Sequence, residues 1–415
     1  MSCLQRLRRR PHTAVHCGSA AQYLERHQNE IRDALRNNVE ARLHAELLSR
    51  VADPRTLRIA AEHIANDGGS ASGGDGVRPH DLDHRDWTAL IGVLSRLIAT
   101  GGYTPGPERR SPIPKASGGF RVLSIPTVAD RVVQRAILEI VNPMIDPTFS
   151  ATTLGGRTER STWDALIEAD RFFRSANTFF VVADVRKAFD VVPHCELVTI
   201  LVSRLGNTSL VDLVLRILQN GRTIGIGQGG PLSPLLLNMY LDEVLDRPWR
   251  QQHPDLPLIR WLDDLLVACP TRTAADSALD DLSACMVAAK MPLKTDPAPG
   301  VIDLIRGKSA EWLGYRIMGG PDGLEAQIPD SAWVDLRLDL LEAHRTDHPV
   351  ATARQVGRGW MAYYGPCHQR DCNDTATRVV AILEEHGFGE ADTIEALAKL
   401  RNESYARFVR RRDQR

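Results

Sequence analysis

Leu256-Pro-Leu-Ile-Arg-Trp-Leu-Asp-Asp-Leu-Leu-Val-Ala268 sets apolar residues on both sides of Asp263 and Asp264. Two short apolar runs about a polar pair predict two strands joined by a tight turn, with the carboxylates at its tip. Adjacent acids are common in solvated turns, but a pair held between buried strands needs a cation to offset its charge. Upstream, Thr178-Phe-Phe-Val-Val-Ala183 reads as a buried strand that stops at Asp184. A carboxylate ending one strand and two more at a hairpin tip can converge on a pair of cations, which clamp the attacking and leaving oxygens of a phosphoryl transfer. An all-oxygen donor set of this kind suits magnesium.

Outward from these strands, Arg109 to Pro126 reads as two extended segments about a turn at Ala116 to Gly119, carrying Lys115 and Arg121. Asp130 then opens a helix with Val132, Val133, Ala136, Ile137 and Ile140 on one side, and Pro193 starts another toward Leu205. Gly225 to Gly230 is a glycine-rich loop where backbone can approach a ligand, followed by Ser233 as N-cap and Pro234 at the first helical position of a helix through Leu241. In the N-terminal part, Ile31, Leu35, Val39, Leu43 and Leu47 predict a long amphipathic helix from Ala20 to Val51. Asn66 to Gly76, with five glycines and no GxxxxGK spacing, predicts a mobile connector. Beyond about residue 326 the pattern turns helical, with Trp333, Leu336, Leu338 and Leu341 in one segment and Val379, Ile382 and Leu383 in another. The fold class is therefore α+β, with an N-terminal helical region, a central sheet and a C-terminal helical bundle.

Composition bounds the function classes. A chain of 415 residues, 43% apolar and 25% charged, is ordinary globular protein, which excludes disordered and fibrous classes. Apolar runs such as Leu90 to Ala99 are broken by Ser95 and Arg96 and fall short of the roughly 18 to 20 residues of a membrane span. The basic segment Arg6 to Arg10 runs into Pro11 and His12 where a secretory signal would be apolar, so a cytoplasmic protein is expected. Seven scattered cysteines form no disulfide framework, and Cys367, His368 and Cys372 lack the second pair of a zinc site. With 51 Lys and Arg against 52 Asp and Glu, the chain has no general basic surplus for phosphates, although both ends are arginine-rich.

Between about residues 57 and 365 the chain resembles the reverse transcriptases of group II introns and their bacterial relatives. The resemblance is carried in order by Gly101-Gly-Tyr-Thr-Pro, Ile113-Pro-Lys, Gly118-Gly-Phe-Arg-Val-Leu, Ile125-Pro-Thr-Val-Ala-Asp-Arg-Val-Val-Gln, Ala183-Asp-Val-Arg-Lys-Ala-Phe-Asp, Gln228-Gly-Gly-Pro-Leu-Ser-Pro, Trp261-Leu-Asp-Asp and Trp312-Leu-Gly-Tyr. It implies a right-hand polymerase with an antiparallel palm sheet: an N-terminal helical extension over 1–76, fingers over 77–177, palm over 178–325 and helical thumb over 326–415. It also implies an RNA-directed DNA polymerase that adds dNTPs to a DNA or RNA primer on an RNA template, using two Mg2+ ions. Asp184 and Asp263 match the metal-binding carboxylates and Asp264 the neighbouring acid, while Val185 would offer its backbone carbonyl. Lys115 and Arg121 match residues that grip the incoming triphosphate. Phe189 matches the bulky side chain that excludes a 2′-hydroxyl. Gln228, Gly229 and Gly230 match the loop lining the nucleotide pocket, and Trp312, Leu313, Gly314 and Tyr315 the turn that supports the primer end. Gly357-Arg-Gly-Trp-Met-Ala-Tyr-Tyr364 resembles the family's thumb.

The chain departs from the family at Trp261-Leu262, where Tyr-Ala is usual, at Gly227 in place of Pro, and at Thr153-Leu-Gly-Gly-Arg157 in place of Ser-Tyr-Gly-Phe-Arg. The Lys expected before the primer-grip turn aligns with Pro299, with Lys294 nearby, and no endonuclease is expected after the thumb. Three roles are open on these residues. One is a freestanding enzyme in antiphage defence, with a small noncoding RNA as partner. Another is an intron maturase that binds RNA. The third is a polymerase that is template-independent or primed from its own side chain.

Overall fold

The computed structural model describes residues 40–114, 120–367 and 372–414, together with positions 22, 25, 26, 28–30 and 33. Among the described residues, nine strands fall into three antiparallel sheets. β1 (Arg109–Pro114) pairs with β2 (Phe120–Ile125) as a two-stranded ribbon; the expected turn residues Ala116 to Gly119, and Lys115, lie outside the described residues. β3 (Phe179–Asp184), β4 (Leu258–Trp261), β5 (Asp264–Cys269) and β6 (Gly300–Asp303) form a sheet in the order β4-β5-β3-β6, so the two strands bearing the acids are central neighbours. A third sheet holds β7 (Ser309–Trp312), β8 (Tyr315–Gly320) and β9 (Gly323–Gln327).

The unbroken apolar runs of β3 and β5 follow from burial on both faces. Val181, Ala183, Leu265, Val267 and Cys269 join one core with the helices Val128–Ile145, His194–Leu205 and Ser233–Leu241. The alternate residues Phe180, Leu266 and Ala268 join a second core with Trp312, Tyr315 and Tyr364. Side chains alternate across a strand, so a strand covered on both sides carries apolar residues at every position. That is why the sequence shows a continuous run here rather than an alternation.

Thr127 caps the helix Val128–Ile145 by accepting from the Asp130 N–H at 3.1 Å. Asp130 thus sits within the first turn rather than opening it. The helix Ser233–Leu241 begins on Ser233 itself, whose hydroxyl donates to the Ile226 carbonyl at 3.3 Å, and it continues through a π-helical turn at Asp242–Asp246. Of the long helix expected from Ala20 to Val51, positions 22, 25, 26, 28–30 and 33 are helical and an unbroken helix is described over Glu40–Ala52; Asp53 then caps a new helix, Pro54–Asn66.

The expected mobile connector at Asn66 to Gly76 is corrected by its contacts. The Arg131 guanidinium donates to the carbonyls of Gly68, Gly69 and Ala71 at 3.0, 3.3 and 2.8 Å, and Arg109 donates to that of Ser72 at 2.8 Å. Gly73 and Gly74 are needed because the chain there lies against other backbone: a Cβ at Gly73 would stand 2.6 Å from Thr127 Cα, and one at Gly74 2.6 Å from the Pro107 carbonyl oxygen.

Beyond Gln327 the described residues hold four helices, Asp330–Ala343, Pro349–Tyr363, Cys372–Glu385 and Ile394–Asp413, around Leu336, Leu340, Met361, Val379 and Leu383. The last helix returns to the sheet domain, where Arg411 pairs with the buried Asp164 at 2.6 Å.

Candidate active site

Register brings the acids together. Asp184, the last residue of β3, is the direct antiparallel partner of Asp264, the first residue of β5. Directly paired residues hold their Cβ atoms about 5 Å apart. Leu262 and Asp263 form the two-residue connection from β4, with Leu262 in the left-handed region at φ 56°. The Val185 N–H donates to the Asp263 carbonyl at 3.0 Å, stitching the end of β3 to that turn. Val185 is fully buried, and its backbone bridges to Leu293.

Lys294 follows from this bridge. Its N–H donates to the Asp184 carbonyl at 2.8 Å, and its ammonium pairs with Asp184 Oδ2. The other carboxylate oxygen, Asp184 Oδ1, is buried with no hydrogen-bond partner. Burial, and then the Asp184 charge, raise the Asp263 carboxyl above the usual range. Burial followed by repulsion from Asp263 and Asp184 pushes Asp264 up to about 7, against the opposing pull of Lys294 and Arg121. An orphaned carboxylate oxygen beside two acids held toward neutrality describes a site short of positive charge. The oxygen donors fit a hard divalent cation in kind. As the side chains stand, no group of three His, Cys, Asp or Glu among the described residues is gathered closely enough to hold a metal.

The acids floor a cleft of ≈ 540 Å³ that Arg121, Phe189 and Gln228 also line. Arg121 stands exposed on β2. Half-buried Phe189 lies on the short helix Ala188–Val191, and its carbonyl accepts from the Ile226 N–H at 2.8 Å. The glycine loop is tied to the β1–β2 ribbon, since the Ser124 N–H donates to the Gln228 carbonyl at 2.7 Å. Gly229 adopts φ 127°, and a Cβ there would approach the Ser124 carbonyl to 2.8 Å, so only glycine permits the contact.

Trp312 and Tyr315 pair across a hairpin whose central residues, Leu313 and Gly314, have φ of 50° and 74°. This is the mirror-image two-residue turn that matches strand twist. The helix Pro349–Tyr363 secures it: the Tyr363 hydroxyl donates to the Leu313 carbonyl at 2.6 Å, and Tyr315 donates to that of Tyr363 at 2.8 Å while their rings stack at 5.1 Å.

The divergent segment Thr153 to Arg157 faces inward. Thr153 Oγ1 donates to Asp246 at 2.7 Å, Arg157 pairs with Asp146 at 2.7 Å, and Gly155 packs where a Cβ would meet the Leu262 nitrogen at 2.5 Å. Small residues here let the chain lie on the back of the acidic turn. Cys367 is buried, and burial pushes its thiol up to about 12; His368 and the side chain of Cys372 lie outside the described residues.

Sequence reasoning missed two roles: the pairing of Lys294 with Asp184, and the buried Arg260 on β4. A lone Arg inside the apolar run Leu256 to Ala268 was the available signal, because a buried Arg demands a partner.

An antiparallel sheet whose central strand ends in one acid, beside a hairpin turn bearing two more, defines the palm of the right-hand polymerase class. Residues 113–317 match the family described as reverse transcriptase (RNA-dependent DNA polymerase), and the chain is similar to group II-like reverse transcriptases. It is 34% identical over 164 residues to the group II intron-encoded protein LtrA of Lactococcus lactis subsp. cremoris, covering 37% of this chain and 27% of that one. It is 30% identical over 211 residues to protein YkfC of Escherichia coli (strain K12), covering 48% and 55%. Among solved structures, apo telomerase from Candida Tropicalis aligns at a TM-score of 0.43 with 11% identity, covering 79% of this chain and 72% of that one. The chain spans between about a quarter and about half the length of the curated relatives it matches. No helix among the described residues is long and apolar enough to cross a membrane.

Proposed function

We propose that this chain is an RNA-directed DNA polymerase, which adds dNTPs to the 3′ end of a DNA or RNA primer on an RNA template. The observation that carries the reading is the meeting of Asp184, Asp263 and Asp264 at the ends of β3 and β5, with an unpartnered carboxylate oxygen and two acids held above their usual range. Asp184, Asp263 and the Val185 carbonyl would hold two Mg2+ ions, with Asp264 alongside. When bound, such ions supply the positive charge that stabilises the entering and leaving oxygens of nucleotidyl transfer.

The protein's own groups do the rest. Arg121, on β2, and Lys115, by the resemblance, grip the triphosphate, where a guanidinium offers paired donors. Phe189 stands under the sugar and excludes a 2′-hydroxyl. Gln228 and Gly229 shape the pocket for the nucleotide and template base, and Trp312 to Tyr315 seat the primer end. Fingers, palm and thumb correspond to 77–177, 178–325 and 326–415, after an extension over 1–76.

The test is primer extension on an RNA template with dNTPs and magnesium, comparing wild type with Asp184→Ala and Asp263→Ala. Each substitution removes a metal ligand and little packing, so incorporation is expected to vanish while circular dichroism stays native. A folded mutant that extends at near wild-type rate would put the active site elsewhere.

For its role in the cell we favour a freestanding cytoplasmic enzyme of antiphage defence, acting with a small noncoding RNA. The balance of 51 basic against 52 acidic residues supports this, because clasping a large intron RNA requires neutralising many phosphates. Phage challenge of cells carrying the gene and its flanks, with Asp263→Asn as control, tests it. Equal plaquing, together with a spliced intron containing this reading frame, would favour the maturase instead.

A further inference from the structure

Behind the acidic turn lies a buried polar cluster to which the polymerase reading assigns no role. Its centre is Arg260, on β4, which is fully buried. Its Nε and Nη2 donate to the Asp246 carboxylate at 2.6 to 3.0 Å. Its Nη1 donates to Asn238 Oδ1 at 2.7 Å and to the Leu262 carbonyl at 3.2 Å. Asp246, also buried, accepts from Thr153, and Asn238 donates through Nδ2 to the Gly155 carbonyl at 2.7 Å. Main-chain bonds close the cluster, from the Leu154 N–H to the Arg260 carbonyl at 2.8 Å and from the Arg260 N–H to the Thr152 carbonyl at 2.9 Å.

Two features make this more than internal packing. The first is strain: Leu262 holds a left-handed φ of 56°, which costs a non-glycine residue about 1 kcal/mol or more and persists only where surroundings impose it. Those surroundings are the Arg260 guanidinium on the Leu262 carbonyl and the Gly155 backbone against the Leu262 nitrogen. The second is energetic. A buried ion pair is roughly break-even in stability against apolar residues of similar volume, so global stability gives little reason for one here. A rigid fork reaching three partners at once does give a reason, since it holds one conformation of the turn that carries Asp263.

We propose that Arg260 is a positioning residue for the magnesium site. It fixes the Leu262–Asp263 turn, and through it the direction in which Asp263 presents its carboxylate. The inference rests on the polymerase reading for its metal, although it concerns binding rather than turnover. Relaxing the turn weakens the divalent cation more than the nucleotide.

The experiment uses the full chain and two variants. Arg260→Lys keeps a positive charge beside Asp246 but cannot reach Asp246, Asn238 and the Leu262 carbonyl together. The paired variant Arg260→Met/Asp246→Asn removes both charges, so neither is left buried alone. Mn2+ binding is measured by the loss of the free-ion electron paramagnetic resonance signal, Mg2+ binding by the rise in Tm over metal-free protein, and primer extension as a function of Mg2+. Both variants are expected to bind Mn2+ about tenfold or more weakly, as the loss of an outer-sphere partner typically does. Half-maximal Mg2+ for extension should move in parallel, with KM for dNTP nearly unchanged at saturating metal. Folded variants with wild-type Mn2+ affinity and Mg2+ dependence would overturn the proposal, as would a wild type whose Mn2+ binding does not depend on Asp263. If Mn2+ binding depends on Asp263 and weakens in the variants while no protein extends a primer, positioning stands and the polymerase reading falls.

Discussion

Asp264→Asn should stabilise the metal-free protein, and do so more as the pH rises. Burial, with Asp263 and Asp184 close by, lifts the Asp264 carboxyl from 3.8 to about 7 in the folded state. Because the folded form holds this proton more tightly than the unfolded chain, ionising it costs stability. The fold is spared that cost below about pH 4 and bears all of it above about pH 7. At about 1.36 kcal/mol for each tenfold gain in proton affinity, the full cost is roughly 4 kcal/mol. It is an upper bound, because Asp263 and Asp264 repel each other and a proton on either relieves both. Asparagine has no proton to lose. Urea unfolding in EDTA should therefore give variant and wild type similar stabilities only at or below about pH 4, with a gap in the variant's favour that opens above about pH 4, widens to neutrality and levels near pH 8. Millimolar Mg2+ should narrow the gap at pH 8 by stabilising the wild type. Parallel stability profiles from pH 4 to 8 would refute the account of Asp264 as a charge held without a partner.

Other substitutions probe the cleft walls. Phe189→Ala should admit ribonucleotides, read as the ratio of NTP to dNTP incorporation, and should lower stability by less than the roughly 3 to 5 kcal/mol of a fully buried Phe, since Phe189 is half-buried. An unchanged ratio in a folded mutant would leave it as core. Tyr363→Phe removes the donor to the Leu313 carbonyl, a loss of about 1 kcal/mol. It should raise KM for primer more than KM for dNTP, and equal changes in both would detach that hydroxyl from primer seating.

Much of the site was legible in the chain because it depends on local order. Apolar runs ending on Asp184 and flanking Asp263 and Asp264 specify strands and a turn through short-range pattern alone, and the motif order carries the family. The convergence of those acids is a matter of register: Asp184 faces Asp264 only because β3 and β5 pair as they do across a separation of 80 residues. The same limit explains the readings that changed. Asn66 to Gly76 looks flexible by composition, yet its carbonyls are held by Arg131, a partner more than 50 positions away that no local pattern can name. Arg260 reads locally as a charge out of place in a strand. Its meaning comes from Asp246, Asn238 and Leu262, which reach it by a π-helical turn, a helix and a hairpin that meet only in the folded chain. Sequence determines which groups are available and what local shape presents them, whereas burial, charge balance and the partners of each donor depend on long-range packing and are decided only in the tertiary structure.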